Sequence, residues 1–98
     1  MKFTGKPNQL KNLAKDIVEY SILAMDVHAH KTSLIYMEHM SPDSGEMLRT
    51  RTQMMEEAEK RLEVHVAIMK ERYPKEIMQA AQARIQAYIE PQNNEEPT

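Results

Sequence analysis

A chain of 98 residues, 41% hydrophobic and 29% charged, fits one small globular domain and excludes disorder throughout. Two Gly and five Pro are too little punctuation for an all-β fold, and the absence of Cys removes disulfides, zinc ribbons, thiol nucleophiles and iron–sulfur ligation. A formal net charge of −2 gives no overall pull toward nucleic acid, and no apolar run is long enough to span a membrane.

The first segment, Met1-Lys2-Phe3-Thr4-Gly5-Lys6-Pro7, lacks the apolar stretch of a secretory signal, so a cytoplasmic protein is the expectation. Lys2, Lys6, Lys11 and Lys15 precede the first acid, Asp16, giving the first fifteen residues a charge of +4. These lysines are candidates for phosphate contacts, although a solubilising basic end explains them as well. Neither Pro nor Gly occurs between Asn8 and His39. With Asn8 as N-cap, Leu10, Leu13, Ile17, Tyr20, Ala24, Val27 and Leu34 recur at helical spacing, which predicts a first helix over about 9–39. Lys31 interrupts this stripe. The cluster Met40-Ser41-Pro42-Asp43-Ser44-Gly45 then predicts a tight turn.

A second helix over about 44–73 carries Met47, Met54, Ala58, Leu62, Met69 and Tyr73 on one face, antiparallel to the first. Pro74 fits the first turn of a third helix over about 75–89, with Ile77, Ala81, Ile85 and Tyr88 along one side; a kinked continuous helix is the alternative. Residues 91–98 have nothing apolar to bury and read as a disordered acidic tail, leaving 1–90 as a single helical domain. The expected fold is therefore all-α, a long hairpin plus a short third helix.

The first helix is apolar over more than half its circumference. Val18, Ile22, Met25 and Ala29 lie to one side of Ile17, Ala24 and Ile35, and Leu23, Val27 and Leu34 to the other. One antiparallel partner and a 15-residue third helix do not cover all of it, so a homodimer or higher homo-oligomer is expected, most simply two hairpins in a four-helix bundle. A monomeric three-helix bundle is the simpler alternative.

Several polar residues project onto apolar faces: Ser21, His28, Thr32 and His39 on the first helix, Arg51 and His65 on the second. Together they are candidate ligand-binding residues in a bundle core, or else a hydrogen-bonded seam that fixes register. A metal site is not expected. His28 and His39 are eleven residues and about 16 Å apart along the axis, and Asp26 with His30 reads as an i,i+4 ion pair. Metal-bridging Glu-x-x-His pairs are absent, and Glu56, Glu57 and Glu59 lack the spacing that gathers carboxylates around Mg²⁺.

No phosphate loop or nucleophile elbow fits a chain with two Gly. The nine Met residues fill core gaps or form an adaptable binding surface, and Met37, Met40 and Met47 beside the turn are the candidate partner contacts. By elimination the sequence reads as a small non-enzymatic binding protein without cofactor: an adaptor, inhibitor or assembly factor that meets another protein through helical surface. A ligand-binding bundle and a nucleic-acid accessory protein are the alternatives.

Overall fold

The computed structural model describes residues 3–40 and 45–89, and its regular elements are three helices: α1 (Pro7–Met40), α2 (Gly45–Arg72) and α3 (Lys75–Ile89). No strand occurs among the described residues. The proposed turn residues 41–44 and the tail beyond 89 lie outside them.

The start of α1 differs from the sequence expectation, and the reason is local chemistry. Pro7 takes the first helical position, where its missing N–H would have had no partner in any case. Asn8 is thus already inside the helix. The work of capping falls to Gln9, whose Oε1 accepts from Thr4 N at 2.8 Å, from Thr4 Oγ1 at 2.9 Å and from Lys6 N at 3.4 Å. Gly5 turns the chain into this cap at φ +79°, a left-handed conformation that costs a glycine little.

Pro74 breaks the helix rather than kinking it. The Tyr73 N–H donates to the Met69 carbonyl at 2.9 Å, closing α2, and the Met78 N–H donates to the Pro74 carbonyl at 3.1 Å, opening α3. Pro74 therefore stands at the N-cap of α3, one position before the one its sequence context suggests.

α1 and α2 pack along their length, and α3 lies against both. The core forms at the basal end, where α1 begins and α2 ends: Tyr20 and Ala24 of α1 meet Met69, Tyr73, Met78 and Ile85, with Leu13, Ile17, Leu62, Val66 and Ile77 packed around them. Met69 is completely enclosed. Phe3 joins this core by setting its ring edge-on to Tyr73, centroids 5.6 Å apart. Toward the turn, Val27 and Ala58 are the last buried side chains among the described ones of their helices; Met37, Leu48 and Met55 beyond them are only half-buried. No helix among the described residues is long and apolar enough to cross a membrane.

Candidate interaction surface

Because α2 and α3 together take the side of α1 marked by Leu13, Ile17, Tyr20, Ala24 and Val27, the opposite side is left open. Val18, Ile22, Met25 and Tyr36 there are 57, 57, 48 and 64% exposed, and Ala29 and Thr32 between them are exposed as well. The positions 18, 22, 25, 29, 32 and 36 alternate steps of four and three, the spacing of a seam between two packed helices. The stripe runs about 27 Å along the axis. Lys11 and Lys15 continue it toward the N-terminus at the same spacing, both exposed.

The polar residues singled out in the sequence do not gather into a pocket. Ser21 Oγ donates to the Val18 carbonyl at 2.7 Å, and Thr32 Oγ1 to the His28 carbonyl at 2.9 Å. Both hydroxyls are thus satisfied within α1, a local arrangement open to Ser and Thr in any helix. His28 is half-buried, while His39 and Arg51 are exposed. His65 turns elsewhere: its Nε2 lies 2.9 Å from the backbone carbonyl of Asp16. A carbonyl only accepts, so Nε2 carries the proton in this contact. Asp26 and His30 form the expected i,i+4 pair at 3.6 Å. The His30 side chain is largely covered, at 16% exposure, while that of Asp26 is 45% exposed. Among the described residues no three His, Asp or Glu side chains converge on one point.

Of the Met set, Met69 and Met78 are core, Met37 and Met55 are half-buried, and Met25, Met47 and Met54 are exposed. The Met40 side chain and Lys2 lie outside the described residues. Lys6, Lys11 and Lys15 are all exposed.

One polar cluster has no counterpart in the sequence reading. Asp16 Oδ2 accepts from the Tyr73 hydroxyl at 2.5 Å and from Arg72 Nη1 at 3.0 Å. Burial, then the bond to Asp16, pushes the Tyr73 phenol up to about 12; the Arg72 guanidinium is raised by its hydrogen bond and charge contact with the same carboxylate. Together with His65 this cluster ties the end of α2 to the third turn of α1. The chain signal was the triplet Arg72-Tyr73-Pro74 at a helix end, but its partner is 57 residues away. Beside it, Phe3, Gln9, Asn12, Arg72 and Tyr73 line a small surface cleft.

Compared with known protein families, with curated proteins and with solved structures, the chain matches none.

Proposed function

We propose that this is a small non-enzymatic binding protein, an adaptor, inhibitor or assembly factor, that works through helical protein–protein surfaces as a homo-oligomer. The observation that carries this reading is the exposed apolar stripe on outer α1, Val18–Ile22–Met25–Tyr36, left open by the other described helices. Scattered exposed apolar side chains are ordinary, but a contiguous one at seam spacing is a recognition surface. The adaptable thioether of Met25 in its middle and the exposed Met47 and Met54 of α2 suit contact with another protein. Light scattering across a concentration series tests the assembly part, with a mass that is a multiple of 11.4 kDa as the expected result. A clean monomer up to millimolar concentration that also retains no protein from its native extract would overturn the reading.

A further inference from the structure

We propose that the occupant of the outer α1 stripe is α1 of a second copy, packed antiparallel about a two-fold axis that passes beside Met25. This rests on the homo-oligomer reading above and specifies its surface, orientation and register.

Three features select a second copy. The first is shape. The radius of gyration is 16.7 Å and the smallest extent is 18 Å, against a radius of about 13 Å for a compact domain of this length. The molecule is thus thin and elongated, and the outer residues Val18, Ile22, Met25 and Tyr36 of its longest helix are exposed. The stripe with Ala29 and Thr32 offers on the order of 500 Å² per copy, and flanking side chains bring this near the roughly 800 Å² each partner contributes to a standard interface.

The second feature is self-complementarity. Paired antiparallel so that positions add to about 51, Ile22 faces the partner's Ala29, large against small, and Val18 faces the partner's Thr32. Met25 meets the partner's Met25 at the axis. The Thr32 hydroxyl is already bonded to the His28 carbonyl, so covering it strands no donor. On one flank the same register places the exposed Ile35 by the partner's Ala14, and Ser21 near the partner's His28.

The third feature is charge, and it sets the direction. In a parallel pair Lys11 and Lys15 would meet their own copies on the axis, putting four like charges at one end. Antiparallel packing instead carries each Lys15 to the partner's Tyr36, whose ring face attracts a cation. It also brings the basic start of one α1 to the negative, C-terminal end of the other. The other flank brings Asp26 toward the partner's Asp26, a like-charge contact that works against the pairing and that the apolar stripe has to outweigh.

The chain has no Cys, so single cysteines report distances cleanly. Under mild oxidation of the full chain, Met25→Cys forms a disulfide-linked dimer. Tyr36→Cys alone does not, since its two copies lie about 30 Å apart. An equimolar mixture of Lys15→Cys and Tyr36→Cys gives the mixed dimer. Ile22→Glu, on an exposed position, keeps its helical circular dichroism and weakens self-association more than about a hundredfold. Val64→Glu, on an exposed face of α2, leaves association unchanged. Self-linking by both Met25→Cys and Tyr36→Cys would mean a parallel seam and overturn the proposal. A dimer that survives Ile22→Glu without any cross-link would overturn it while leaving the homo-oligomer reading in place. A wild type that is monomeric up to millimolar concentration overturns this proposal and the homo-oligomer part of the reading above, leaving binding to a different protein to the extract experiment.

Discussion

At Asp16 one carboxylate oxygen does work that neither helix can do alone. It accepts from Tyr73 and Arg72, while the backbone carbonyl of the same residue meets His65. Arg72 is exposed, so its ion pair adds little, whereas the Tyr73 bond is part-buried and leaves an acceptor underused when removed. Tyr73→Phe is expected to cost about 1–2 kcal/mol near neutral pH, read by urea denaturation with circular dichroism. The folded-state phenol titrates at about 12, above its ordinary value of about 10. The native state therefore holds this proton when the unfolded chain has released it. The contribution is complete below about pH 10 and is lost as pH rises toward 12. The stability gap between wild type and Tyr73→Phe should accordingly narrow across that window. A gap that stays constant from pH 7 to 12 would show that the phenolic proton is not held in this way.

Helical elements were legible in the sequence because the apolar residues between Asn8 and Ile89 keep a helical period and the breaks fall at Pro and Gly. The spacing of Leu13, Ile17, Tyr20, Ala24 and Val27 also marks the side of α1 that the other helices take. What spacing does not reveal is which of the remaining apolar positions stay open, because only the partners' own side chains decide that. The hydroxyls of Ser21 and Thr32 show a second limit. A projection sees them beside His28 and His39, but cannot see that each is already bonded to its own backbone. Nor could it align Asp16 with Tyr73, since register along the hairpin depends on where the turn closes.

The two glycines separate local backbone effects from packing. Neither has anything within 4 Å of where a Cβ would stand. Gly5 sits at φ +79°, so Gly5→Ala should lose about 1 kcal/mol through strain alone. Gly45 opens α2 without a positive φ, so Gly45→Ala should gain about 0.5 kcal/mol. Opposite signs in thermal melts are the expected outcome; equal signs would mean that φ does not decide between the two positions. In the core, Met69→Ala should cost about 2–4 kcal/mol, while Met54→Ala, at an exposed position, should stay within about 0.5 kcal/mol.

Across the whole molecule, stability is distributed unevenly along the hairpin. Three helices share the basal end, and the enclosed side chains Tyr20, Met69, Tyr73, Met78 and Ile85 are there. Toward the turn, among the described residues, α1 and α2 pack only against each other. The Lys31–Glu59 ion pair that joins them at 3.4 Å has side chains 54 and 38% exposed, which makes it a weak clasp. Opening of the distal half therefore exposes little apolar surface and should require much less free energy than unfolding the basal core. Native-state hydrogen exchange reads this directly. Amides of 17–27 in α1 and 62–72 in α2 should exchange only through global unfolding, whereas those of 31–39 and 48–56 should exchange through local opening. In the proposed dimer the partner's α1 would shield the Tyr36 end as well, so protection there should rise with protein concentration while the basal amides of the folded chain remain the slowest. A uniform exchange rate along both helices, unchanged by concentration, would mean that the hairpin is one cooperative unit and that its open face contributes nothing to its stability.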